Sequence, residues 1–219
     1  MNISHSKAGF LVLALLASGM ANADNDFGIG FKVGTLGLGV EASWQPLPFL
    51  DVRLGANSYD YEDNGSRAGI PYDATLVLDT YYVTGNFHFP ISPMRITAGV
   101  YSNGNEFQMA NDDGVDLDIG GVTYPSAGIG TLTSVTSFGS TSPYLGIGFD
   151  FTVAGKVGLN FDLGVLWQGE PEVTLEASGL LAQDAGFQAM LEVERQQLED
   201  EMSDFKAWPV ISLGFVYKF

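Results

Sequence analysis

The chain has 219 residues, a net charge of −17 and no cysteine, so neither disulfide support nor thiol chemistry is open to it. Nine basic residues against 26 acidic ones make nucleic acid a poor partner. The 28 glycines and the 15 Phe and 9 Tyr, in a sequence that is 46% hydrophobic, suit a β-barrel better than a helical protein.

At the start, Lys7 precedes an apolar run from Ala8 to Met20, which is followed by the small-x-small site Ala21, Asn22, Ala23. The run is shorter than the roughly 20 residues that a membrane-spanning helix needs. Residues 1–23 are therefore expected to be a removed export signal, and 24–219 a single barrel domain in the cell outer membrane.

Eight segments with period-two alternation follow, at 26–34, 36–45, 50–60, 76–89, 94–103, 143–153, 157–168 and 208–219. Between them PLPF (46–49), PISP (90–93) and AGK (154–156) are tight turns, whereas 61–75, 104–142 and 169–207 are long loops. Transmembrane barrels show this asymmetry, with short turns in the periplasm and long loops outside. If the last strand runs inward to a periplasmic C-terminus, each earlier strand acquires a direction, and residues 26–34 supply the outward strand that starts the count. The fold expected is all-β, an eight-stranded antiparallel transmembrane β-barrel.

The two faces of these strands differ in kind. Residues 157–168 set Val157, Leu159, Phe161, Leu163, Val165 and Trp167 against Gly158, Asn160, Asp162, Gly164, Leu166 and Gln168, and residues 145–153 repeat the pattern. Eight strands enclose a narrow interior. The bulky set would overfill it, so the apolar face is expected to meet lipid and the small polar face the lumen. Trp44, Phe87, Phe89, Phe151, Tyr217 and Phe219 then fall on the outer face at the short-turn end, with Tyr81 and Trp167 near the other end, as two interfacial girdles.

By the same parity the lumen receives Lys32, Arg53, Arg95 and Lys218 with Glu41, Asp51, Asp150 and Asp162. Charges in so confined a space must pair. They form either a structural plug or a polarised constriction that selects small charged solutes. Eleven glycines, among them Gly39, Gly55, Gly146, Gly148 and Gly214, share the inward parity, which suggests an underfilled interior and a narrow passage.

Twenty of the 26 acids lie in and beside the three long loops, at 60–79, 106–118 and 170–206. Such a field concentrates cations at the outer mouth. Within the last loop, residues 184–205 change to helical spacing, with Phe187, Met190, Leu191, Leu198, Met202 and Phe205 on one stripe, so an amphipathic helix of about five turns is expected there. NDDGVDLDIGG (111–121) lacks the spaced oxygen ligands and closing Glu of a calcium loop, so no metal is assigned. His88 falls on the inward face near the short-turn end with no Ser or acid obviously placed to make it a catalytic base. A lumen hydrogen bond is its expected role, and no catalytic residue or cofactor is assigned.

PYLGIGF (143–149), GEPEVTL (169–175), IGGVTY (119–124) and WPV (208–210) after an acidic helical loop together resemble the CarO family of small outer-membrane barrels and, more distantly, the OmpW family. The resemblance implies a monomeric eight-stranded barrel and, for the CarO family, uptake of ornithine and other basic amino acids; it transfers no functional residue. Three functions follow as expectations. The first is a narrow channel for small solutes, basic amino acids foremost, in contact with outer-membrane lipid and assembled through a C-terminal strand ending in Phe219. The second is a closed barrel whose acidic loops serve adhesion or surface interaction, and the third an OmpW-like path for small apolar molecules.

Overall fold

The computed structural model describes residues 27–67, 70–111 and 114–219; the expected export signal and the acids Asp112 and Asp113 lie outside them. The strands are β1 (Phe27–Gly34), β2 (Gly37–Leu47), β3 (Leu50–Arg67), β4 (Ile70–His88), β5 (Met94–Asn103), β6 (Glu106–Asn111), β7 (Leu117–Ile119), β8 (Val122–Tyr124), β9 (Leu132–Ser137), β10 (Thr141–Ala154), β11 (Val157–Trp167), β12 (Glu172–Ala177) and β13 (Ala207–Lys218). Eight of them close on themselves in the order β4-β3-β2-β1-β13-β11-β10-β5, with β5 returning to pair with β4, and every pairing is antiparallel. Closure removes the exposed backbone edge that hydrocarbon would not tolerate.

Alternation of environment along each strand follows the alternation of residue type. In β13, Ile211, Leu213, Phe215 and Tyr217 face outward, while Val210, Ser212 and Gly214 are buried inside. The residues that decide between a membrane barrel and a soluble one are exposed: Ile147 by 40%, Phe161 by 37% and Phe215 by 46%. Water would not support such an uninterrupted apolar exterior, so the fold is an eight-stranded antiparallel transmembrane barrel. No helix among the described residues is long and apolar enough to cross a membrane.

The segments expected to be long loops are partly ordered sheet. A membrane-crossing strand needs about 9–11 residues, yet β3 and β4 have 18 and 19 and pair along their whole length, so their hairpin projects past the bilayer. Beyond the barrel, the upper half of β4 pairs with β6, β6 with β9, and β9 with β12. The step from β5 to β6 is a two-residue irregularity, where Gly104 N–H donates to the Asp79 carbonyl (2.8 Å) and Asp79 N–H to the Asn105 side chain (3.1 Å). One wall of the barrel thus rises as a sheet above the end that carries the long connections.

This raised sheet has its own apolar core of Leu117, Ile119, Ile129, Phe187 and Leu191. The helix expected over 184–205 spans Ala185–Glu201, with the Asp184 side chain capping it by accepting from Phe187 N–H (2.9 Å). Of the expected stripe, Phe187 and Leu191 are buried and Met190 packs against them. Phe205 departs from it: it lies beyond the helix end, in the 3₁₀ turn Ser203–Lys206, where the rotational phase of the helix is lost, and it is exposed. On the outer face of the helix Arg195 pairs with Glu192 and Glu199, and its hydrogen bonds bring the Glu192 carboxyl down to about 2.

Candidate functional site

Inward parity on β2, β3, β5, β10 and β11 sends Glu41, Asp51, Arg53, Arg95, Asp150 and Asp162 to one level of the lumen, where they form a single network. Arg53 is its hub: its guanidinium donates to Glu41 (3.4 Å), Asp51 (3.3 Å) and Asp150 (3.1 Å). Arg95, fully buried, pairs with Asp150 (2.9 Å) and Asp162 (2.6 Å) and donates to Asn86 and Thr97. Asn86 in turn donates to Asp51 at 2.5 Å. The Arg95 Nη2 lies beside Asp162 as an ion pair without a well-directed hydrogen bond, so charge more than geometry holds that side of its fork.

The other two expected lumen cations stand apart. Lys218 donates to the Gln45 side chain at 3.4 Å near the short-turn end. Lys32 places its ammonium 3.9 Å from the centre of the Tyr82 ring.

Above the network lies an apolar layer that parity did not single out, formed by Leu36, Tyr82, Tyr101, Tyr144, Leu166 and Val210, with Trp208 against it. Tyr82 stacks on Tyr101 at 4.8 Å, and Tyr101 tilts against Tyr144 at 5.3 Å. The Tyr82 hydroxyl donates to Glu41 at 2.9 Å, which ties this layer to the charges below. Applying the same parity to Tyr82, next to outward Tyr81, to Tyr101, in step with Arg95, and to Tyr144, in step with Gly146, would have found all three rings.

The expectation that glycine hollows the lumen is overturned. A Cβ at Gly55 would meet the Tyr82 phenol, one at Gly146 or Gly164 the Tyr144 ring, one at Gly148 the Arg95 guanidinium, and one at Gly214 the Asn160 amide. The inward glycines are floors on which large side chains from neighbouring strands lie. Among the described residues, one cavity of about 20 Å³ lies between the tyrosines and the network and another of about 40 Å³ below it, toward His88 and Lys218. These hold one to a few waters.

His88 reaches both Asp51 (2.5 Å) and Asp150 (3.7 Å). The three side chains bring possible metal-ligand atoms within 4.8 Å of one another. Their chemistry does not suit a divalent cation, because both carboxylates already carry Arg53 and Asp150 carries Arg95 as well, so a metal would have to displace one arginine and sit beside another. On the exterior, Trp44, Tyr81, Phe87, Phe151, Trp167, Tyr217 and Phe219 are exposed. Phe89 is half-buried, edge-on to Phe87 at 5.6 Å.

No family model and no curated protein matches the sequence. In structure the chain is similar to Acinetobacter baumannii CarO2, at 20% identity and a TM-score of 0.59, over 88% of this chain and 98% of that one. It is similar to Acinetobacter baumannii CarO at 21% identity and a TM-score of 0.57, over 88% and 97%. A major outer membrane protein of Thermus thermophilus aligns at 18% identity and a TM-score of 0.41, over 88% and 98%. The likeness to the two Acinetobacter proteins shows a shared barrel fold.

Proposed function

We propose that the protein is an outer-membrane channel for small solutes, gated by its own lumen side chains, with the described conformation as its closed state. The observation that carries this is the make-up of the closure. The lumen is blocked by side chains of the barrel wall, the Arg53 network and the tyrosine layer, with a water-sized space on each side of the network. Side chains change rotamer far more readily than strands rearrange. The exterior aromatics, Trp44 and Tyr217 among them, are the interfacial girdles in this reading, and the strand ending in Phe219 engages the outer-membrane assembly machinery.

A cationic solute fits best. The acids concentrated in the three long connections give the outer mouth a negative field, and the resemblance to the CarO family points to basic amino acids. Purified protein in planar bilayers is expected to give a small cation-preferring conductance, reduced by ornithine more than by glutamate or glucose and weakened in Asp162→Asn. A correctly folded barrel that stays electrically silent overturns the proposal.

The second reading, a permanently closed barrel displaying an acidic platform, is favoured by the three ion pairs that hold Arg53 across the lumen. It predicts silence in bilayers and a surface phenotype on removing residues 176–204.

A further inference from the structure

Lys32 is held unlike the lumen arginines. Among the described residues no carboxylate lies within ion-pair distance of its ammonium, which rests instead on the face of Tyr82. Glu41, which lines the same pocket, is already taken: it accepts from Tyr82, from Arg53 and, at 3.2 Å, from Asn160. The ring is fixed before Lys32 arrives, since its hydroxyl is tied to Glu41, one face stacks on Tyr101, and Gly55 leaves room beneath it.

The wall also makes space for the lysine stem. Lys32 stands opposite Gly39 on β2 and Gly214 on β13. A Cβ at Gly39 would come within 2.9 Å of its Cγ and 3.0 Å of its Cε. An oriented aromatic face and a slot for an alkyl chain make a receptor for an organic cation, in a pocket also lined by Glu41 and Asp162, each already paired with an arginine.

We propose that Lys32 is a tethered occupant of a cation-binding site, and that the alkylammonium or guanidinium end of a small solute competes with it for the Tyr82 face. The inference deepens the channel reading above and rests on it for its role in transport. The free space beside Lys32 is about 20 Å³, room for a water and not for a second organic cation, so a solute cation reaches the Tyr82 face only by displacing the lysine. A cation–π contact is also weaker than the arginine ion pairs, so Lys32 is more easily displaced than Arg53 or Arg95. Its flexible stem lets the ammonium swing away from the ring while the arginine network stays in place.

The test is binding of L-ornithine to the folded protein in detergent micelles, followed by calorimetry. Lys32→Met is expected to bind L-ornithine at least about tenfold more tightly than the wild type, a gap of about 1.4 kcal/mol. Adding Tyr82→Leu should abolish the gain, and L-glutamate should show none. Equal affinity in Lys32→Met and the wild type, or a gain for glutamate as large as for ornithine, overturns the proposal. Should Lys32→Met fail to fold, the wild-type protein supplies the reading: excess ornithine is expected to raise acetylation of Lys32 several-fold, and unchanged labelling overturns it. Ornithine binding to an electrically silent barrel keeps this site and sinks the channel, whereas conductance without the tighter binding does the reverse.

Discussion

Tyr82 and Gly55 face each other directly across β3 and β4, and the phenol of Tyr82 fills the space that any side chain at residue 55 would claim. The relationship recurs through the lumen. Arg95 fills the space over Gly148 and Lys32 crowds that over Gly39, each directly opposite, while the Tyr144 ring lies over Gly164 on the next strand. A narrow barrel cannot hold large residues at every inward position, so each large one is matched to an absent side chain on a neighbouring strand.

That pairing predicts opposite outcomes for two glycines on adjacent strands. Gly55→Leu must displace Tyr82 and break its bond to Glu41, and overpacking of this kind costs about 1–3 kcal/mol. Gly85→Ala adds its methyl on the exposed outer face, where nothing lies within 4 Å of the site, and should stay within about 0.5 kcal/mol of the wild type. Thermal loss of the compact, heat-modifiable band in electrophoresis ranks the two variants, and equal midpoints would contradict the interlocked lumen.

Arg53 neutralises Glu41, Asp51 and Asp150 together. Arg53→Ala leaves three acids around an empty hub, and removing one partner of a buried ion pair costs about 3–5 kcal/mol. Urea unfolding in lipid vesicles should show a loss of that order. Arg53→Lys should recover only part of it, because an ammonium cannot present three forked donors to three separate carboxylates. Full recovery by lysine would mean that charge alone, without geometry, holds the lumen.

Phe161 tests the exterior. It sits near the middle of β11, opposite Phe149 and Leu213 on the neighbouring strands, and is exposed. Arginine there should cost about 2–4 kcal/mol, the penalty for a charge facing the middle of the bilayer. At Tyr217, close to the short-turn end, the same substitution should cost about 0–1 kcal/mol. A flat profile between the two positions would argue against a membrane-embedded belt.

Strand number, closure and sidedness were readable because lipid and lumen impose opposite demands on alternate residues, and Ile147, Phe161 and Phe215 carry that contrast openly. The charges of the future network were readable for the same reason, as inward parity gathered Glu41, Arg53, Arg95 and Asp162. What parity cannot state is register. Gly55 looks like a void until Tyr82 is known to lie opposite it, and that pairing depends on how β3 and β4 align. The raised strands β6 and β9 escaped for another reason. All six residues of β6 are half-buried, and β9 is half-buried at all but Thr136. Where the two faces of a strand share one environment, no alternation is imposed on the residues, and EFQMAN or LTSVTS reads as loop.

The raised sheet and its helix should open independently of the barrel. Phe187, 1% exposed, packs edge-on to Tyr124 at 5.0 Å and anchors the upper core with Leu191 and Ile119, while the barrel strands are joined to one another by their own ladders. Phe187→Ala removes about 3–5 kcal/mol of packing from a unit that shares few apolar contacts with the lumen layer. The helix should then become accessible to protease on whole cells, with cleavage within 185–201, while the barrel keeps its heat-modifiable mobility. Coincident loss of both would show that the upper core and the barrel fold as one cooperative unit, and trimming residues 176–204 would then no longer report on the surface platform alone.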